Sequence, residues 1–236
     1  MVDYEAIWKT TWGDVQTYGP FHRHLHRIIK EIIQSLKFQS VLDVGCGAGS
    51  LLAELKSEFP HIKPMGVDVS SSAIELARRR VPDADFRVLD IAQSSLDTKF
   101  DLVVCSEVLE HIPDDIAAMT NLSKMTKKYL LVSTPQGRMR RFEKEIGHVR
   151  NYAPGDLVRK FEITGLKAMS VVEWGFPFYS PLYRDLLEIT NSKGTTGEFG
   201  SVRKAISTLV YCLFMLNSHK RGDEIFVLAT PRNSRA

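Results

Sequence analysis

Apolar and polar positions along the chain follow two alternating periods. Between residues 40 and 131, short β-branched runs at 40–44, 64–69, 86–89, 102–106 and 129–133 are separated by stretches with apolar residues at helical spacing. Those stretches, 50–59, 71–80 and 114–125, begin at Ser50, Ser71 and Asp114, residue types able to cap a first helical turn. The alternation predicts parallel strands joined by crossover helices, in an α/β doubly wound sheet.

The flanks extend this plan. An aromatic-rich lead over 4–20 precedes a helix at 21–36, where Leu25, Ile28, Ile29, Ile32, Ile33 and Leu36 form one face that should pack on the sheet. After the sheet core come a helix at 154–161, a strand at 166–174, a long excursion over 175–221 and a last strand at 224–230. No internal repeat, low-complexity tract or linker interrupts the chain. The 236 residues therefore read as a single domain over 1–236, with 1–38 as a helical lead or lid and 175–221 as an insertion on the substrate side.

Composition narrows the function classes. The chain is 44% hydrophobic and 25% charged, an ordinary globular balance, and its formal net charge of +3 gives a nucleic-acid partner no support. Cys46, Cys105 and Cys212 are scattered without metal-ligand spacing, and their odd number argues against a disulfide framework; no metal is expected, and a cytoplasmic setting is. The start lacks a signal-peptide pattern and no apolar run reaches the roughly 18 residues a transmembrane span needs.

The candidate chemistry begins at the turn Asp43-Val44-Gly45-Cys46-Gly47-Ala48-Gly49, which closes the first strand. Glycines between strand and helix let backbone N–H groups approach a ligand, which by itself implies only a nucleotide-like molecule. The dinucleotide spacing fails because Ser50 stands at its third glycine position, and a P-loop fails for want of Gly-Lys-Ser/Thr. Asp43 would repel a pyrophosphate but could attract the ammonium of an amino-acid moiety. Asp68, after the second strand and followed by Val69, can accept hydrogen bonds from ribose hydroxyls. Asp90, followed by Ile91 after the third strand, could receive an adenine amino group. Any one such acid could simply cap the next helix, but three at the ends of successive strands converge on one crevice.

With these residues in view, segments 41–50, 66–70, the Asp90 position and 100–112 resemble the successive motifs of class I S-adenosylmethionine-dependent methyltransferases. The resemblance covers about the central third of the chain. It implies a Rossmann-like seven-stranded sheet of order 3-2-1-4-5-7-6 with the last strand antiparallel. It also implies that Gly45, Cys46 and Gly47 contact the methionine part, Asp68 and Val69 the ribose, Asp90 and Ile91 the adenine, and Ser106 and Glu107 the edge near the transferring methyl. More narrowly, 107–112 and 147–154 look like segments of small-molecule methyltransferases of the ubiquinone-biosynthesis O-methyltransferase type. The Asn-Pro-Pro-Tyr segment of many nucleic-acid and protein amine methyltransferases is replaced by Cys105-Ser106-Glu107-Val108.

Methyl transfer from a sulfonium is an in-line displacement, so orientation and exclusion of water carry most of the catalysis. Trp8, Trp12 and Tyr18 are candidates for an aromatic lid, or else anchors of the following helix. His148 and His111 are the candidate general bases, His148 slightly preferred. The aromatic segment 174–183 and an apolar helix at 206–216 suggest an apolar acceptor pocket, or packing on the sheet or a dimer contact. The basic residues at 217–221 after that helix admit weak contact with a membrane surface. Arg138, Arg140, Arg141, Lys144 and Arg150 form a basic stretch that could meet an acidic substrate or lie in solvent. The expected function is methyl transfer to oxygen or nitrogen of a moderately apolar small molecule, yielding S-adenosylhomocysteine, by a monomer or homodimer. A tRNA or protein methyltransferase and a non-catalytic cofactor-binding protein are the alternatives.

Overall fold

The structure is a computed structural model that describes residues 5, 13–190 and 199–232. Seven strands form one sheet: β1 Ser40–Val44, β2 Lys63–Asp68, β3 Asp85–Val88, β4 Phe100–Ser106, β5 Thr126–Pro135, β6 Leu166–Trp174 and β7 Glu224–Pro231. Their order is β3-β2-β1-β4-β5-β7-β6, as the resemblance implied. The first five pair in parallel, whereas β7 runs antiparallel to both β5 and β6.

Strand periodicity sorts the core onto two faces. Val41, Leu102, Val104 and Leu131 point to one side, beneath Leu25, Ile28, Ile29 and Ile33. Leu42, Val103, Cys105, Leu130 and Val132 point to the other, beneath Met119, Leu122 and Phe161. Strands covered on both faces must be apolar throughout, which is why the short runs read so clearly in the sequence.

The helices are α1 Gly13–Tyr18, α2 Pro20–Ile33, α3 Ser50–Glu58, α4 Ser71–Arg80, α5 Asp115–Met125, α6 Arg141–Glu145, α7 Asp156–Ile163, α8 Arg184–Thr190 and α9 Ser201–Phe214. Ser70 caps α4 and Asp114 caps α5, each side chain accepting from the backbone N–H three residues on, at 3.2 and 3.0 Å. The helix expected at 154–161 begins only at Asp156, because Gly155 before it adopts φ 81°. The apolar helix expected at 206–216 is α9, five residues longer at its start. Of the roles expected for its apolar residues, Phe214 packs into the core, whereas Ile206, Leu209, Leu213 and Leu216 are exposed and wall no pocket among the described residues. Among the described residues no helix is long and apolar enough to cross a membrane.

Candidate active site

The carboxyl ends of β1, β2 and β4 meet at the glycine turn. Gly45 and Cys46 both donate their N–H to the Val67 carbonyl, at 2.8 and 3.0 Å, which binds the turn to β2. Gly45, Gly47 and Gly49 have φ of 74°, 51° and 74°, a conformation that other residues adopt only with strain. A Cβ on Gly45 would lie 2.2 Å from Val108 Cγ2, so the turn packs directly on the segment that leaves β4. A Cβ on Gly49 would likewise lie 3.2 Å from that of Ala77, so these two glycines let the turn pack closely on its neighbours.

Asp68 holds the turn in shape. Its two oxygens accept from the N–H of Gly47 and of Ser70, each at 2.9 Å. A carboxylate has about four acceptor positions, so lone pairs remain for two hydroxyls. Burial raises its pKa, while those backbone donors pull the other way. Asp43 is only 3% exposed; burial, and then the charge of Asp68, push its pKa up to about 7. Near neutral pH it can release its proton in favour of a cationic ligand.

The other expected cofactor residues divide. Cys46 has a buried thiol, packed so close to β2 that a Cβ on Gly66 would lie 2.8 Å from its Sγ. Asp90 organises its own turn, its carboxylate accepting from Ala92 N–H at 2.9 Å. Ile91 buries its side chain in the core and accepts from Asn121 Nδ2 at 2.9 Å. Val69 is exposed directly after β2. The Ser106 hydroxyl is tied to that of Ser133 at 2.7 Å across β4 and β5. Tyr18 sits against Phe199, and the Lys204 ammonium lies 4.0 Å from its ring centroid. Trp8 and Trp12 lie outside the described residues. Glu5, from the same lead, accepts from Ser71 N–H, Ser72 N–H and the Ser72 hydroxyl at 2.5, 3.1 and 2.5 Å. The lead therefore reaches the first turn of α4, just past Asp68.

Glu107 is the one non-glycine residue with positive φ, 57°, among the described residues. Strain of this kind persists only where surrounding structure enforces it. Its buried carboxyl faces Glu224, the first residue of β7; burial and then the Glu224 charge push its pKa well up. Both residues have carboxyl oxygens without a hydrogen-bond partner.

Glu107 and Glu110 line a cavity of about 140 Å³ on the acceptor side. Val15, Phe21, Phe142 and Ile146 supply part of its apolar wall, with Tyr179, Tyr183, Leu187 and Phe199 from the insertion. The aromatic segment thus splits between two roles. Tyr179 lines the cavity and stacks on Phe21 with centroids 4.7 Å apart, while Trp174 is buried in the core.

His111 and His148, the expected bases, come together in this cavity with ring centroids 4.6 Å apart. Burial, followed by the charge of His111, lowers the His148 pKa to about 3; burial also lowers that of His111. Both rings are therefore neutral near pH 7, which makes His148 a much weaker base than an exposed histidine. His148 Nδ1 is buried without a hydrogen-bond partner. Glu110 accepts from the Thr134 hydroxyl at 3.0 Å through one oxygen, while its other oxygen lacks a donor. Ligand atoms of Glu110, His111 and His148 lie within 4.8 Å of one another, a mixed donor set that could hold a divalent cation.

Sequence reasoning missed the charges that organise this cavity. Arg184 is buried, donating to Glu143 and, at 3.1 Å, to Asp223. No local pattern announces these pairs, because their members lie on α6, α8 and the approach to β7. The basic stretch divides: Arg140 is buried and Arg150 half-buried, whereas Arg138, Arg141 and Lys144 are exposed. Arg140 pairs with Asp185 at 2.8 Å, Arg138 with the same oxygen at 2.7 Å, and Arg150 donates to the Leu109 carbonyl at 3.2 Å.

Comparison with known proteins supplies the context. Residues 42–128 match the family model described as a methyltransferase domain. The ubiquinone biosynthesis O-methyltransferase of Pasteurella multocida is 27% identical over 142 residues, covering 52% of this chain and 58% of that protein. The chain spans about half the length of the curated relatives it matches. The N-methyltransferase NodS of Bradyrhizobium japonicum, solved with S-adenosyl-L-homocysteine, covers 92% of this chain and 90% of its own at 19% identity, with a TM-score of 0.59. The cyclase SpnF has a TM-score of 0.61 at 17% identity, covering 94% of this chain and 86% of its own. At such identities the likeness shows the fold alone, and a fold hosts more than one chemistry.

Proposed function

We propose that this chain, with its methyltransferase-domain match over 42–128, is an S-adenosylmethionine-dependent methyltransferase acting on oxygen or nitrogen of a moderately apolar small molecule. The observation that carries this reading is the junction of two half-sites. The glycine turn with Asp43 and Asp68 lies at the ends of β1 and β2, and an apolar cavity opens beside Glu107 at the end of β4.

The cofactor supplies an electrophilic methyl on sulfur. Gly45 and Gly47 allow close approach of the backbone, Asp43 answers the ammonium, and Asp68 offers its remaining lone pairs to ribose hydroxyls. Ser106 and Glu107 border the methyl, and Asp90 with Ile91 border the adenine. The lead over 1–38, tethered through Glu5, serves as a lid that keeps water from the crevice within a single domain that includes the 175–221 insertion. Phe21, Tyr179 and Phe199 orient an apolar acceptor. A macromolecular acceptor is disfavoured because the chain's formal net charge is only +3 and Arg140 and Arg150 of the basic stretch are engaged within the fold.

The test begins with mass spectrometry of ligand co-purifying with the protein, followed by transfer of radiolabelled methyl from S-adenosylmethionine into fractionated cell extracts. Label in a small organic-soluble product supports the reading; label in RNA or protein removes the small-molecule part. A second reading of the acceptor half is favoured by Glu110, His111 and His148. A divalent cation bound there would hold an acceptor oxygen and lower its pKa, work that a weakly basic His148 does poorly. Thermal stabilisation by Mg²⁺ or Zn²⁺ that disappears in His148→Ala supports the cation; stabilisation unchanged in that variant removes it.

A further inference from the structure

The outer face of α9 differs from an ordinary solvent-facing helix surface. Val202, Ile206, Leu209, Leu213 and Leu216 recur every three or four residues from the start of α9 to just past its end, and Val202, Leu209 and Leu216 are 75%, 71% and 69% exposed. The exposed residues between them are Ala205, Thr208, Cys212 and Met215, so this face carries no charge at all. Its inner face is accounted for: Phe214 is buried in the core and Tyr211 stacks on His24 at 4.3 Å. A single exposed leucine means nothing, but a continuous apolar strip along a helix marks a surface that leaves water in some bound state.

Charge identifies the occupant. Residues 199–222 contain Arg203, Lys204, Lys220 and Arg221 and no acidic residue, whereas the whole chain carries a formal net charge of only +3. Arg203 and Lys204 lie at the flank of the helix over the rings of Phe199 and Tyr18, and Lys220 and Arg221 follow its end. A second copy docking through the same face would set two such cationic segments against each other across a two-fold axis. An anionic bilayer instead takes up the apolar strip and attracts its cations together. We propose that α9 is an interfacial docking helix that binds an anionic lipid surface with Val202, Ile206, Leu209, Leu213 and Leu216 facing the acyl region. This surface is independent of the methyl-transfer reading. Because α9 starts two residues after Phe199, which lines the acceptor cavity, docking sets that cavity's edge beside the membrane.

Co-sedimentation of the full chain with vesicles tests this, using phosphatidylcholine alone or mixed with phosphatidylglycerol. Binding is expected to the mixed vesicles, to weaken with salt, and to fall about tenfold or more in Leu209→Glu, since burying one leucine alone is worth at least that factor. Ile163→Glu is the matched control: Ile163 is 72% exposed on α7, against the opposite face of the sheet, and its replacement should leave binding unchanged. Leu213→Gln gives a milder change that guards against misfolding and should also weaken binding. Equal loss in the control, equal binding to neutral vesicles or no vesicle binding would each overturn the proposal. So would sedimentation as a dimer that Leu209→Glu converts to monomer.

Discussion

Gly45→Ala probes the joint between the glycine turn and the segment after β4. The added Cβ would lie 2.2 Å from Val108 Cγ2, at a φ of 74°. Holding a non-glycine residue in the left-handed region costs about 1–2 kcal/mol. Relieving so close a contact inside a packed region adds about 1–3 kcal/mol. The variant should therefore lose about 2–5 kcal/mol, a fall in Tm of roughly 5–15 °C for a chain of this size. Urea denaturation followed by circular dichroism measures this as a lower midpoint at unchanged slope. Val108→Ala removes the obstructing methyl but leaves the backbone cost. The double variant should thus recover about 1–3 kcal/mol relative to additivity. A Gly45→Ala protein within about 0.5 kcal/mol of the parent, or strict additivity with Val108→Ala, would refute the packing argument.

Three further predictions follow from buried charge. The Asp43 pKa is raised from 3.8 to about 7, so the folded state keeps a proton that the unfolded chain loses. Stability of the ligand-free protein should therefore decline as pH rises from about 4 to 7 and level off above, and Asp43→Asn should flatten that decline. A ligand that binds the ionised form, measured by titration calorimetry, should weaken about tenfold per pH unit below about 7, a slope that Asp43→Asn removes. Arg184→Met should destabilise by about 3–5 kcal/mol, because it strands Glu143 beside Glu107 and Glu224 without their cation; urea denaturation showing a loss under about 1 kcal/mol would contradict this.

The sheet was legible in the sequence because strands buried on both faces, such as 40–44 and 102–106, admit little besides β-branched and other apolar residues. Asp43 and Asp68 were legible because strand ends of a parallel sheet converge. The acceptor half was legible only in part: Glu107, His111, His148 and the aromatic segment were in view, but the charges that surround them were not. Glu107 and Glu224 meet through a strained backbone and a strand more than a hundred residues away, and Arg184 reaches Glu143 from an insertion without a motif. The stripe on α9 was visible as periodicity, yet periodicity is the same whether a neighbouring element covers the face or leaves it bare. Only the packing of Phe214 and Tyr211 on α2 and the core distinguishes the inner face from the outer.

The central claim is that the turn, Asp43 and Asp68 form a site for S-adenosylmethionine. Its most direct measurement is calorimetric titration of the ligand-free protein with S-adenosylmethionine and S-adenosylhomocysteine, alongside Asp68→Ala checked for folding by circular dichroism. One-to-one binding in the micromolar range, severely weakened in the folded variant, is the result expected. No binding by the parent protein at millimolar ligand, or binding indifferent to Asp68, would contradict it.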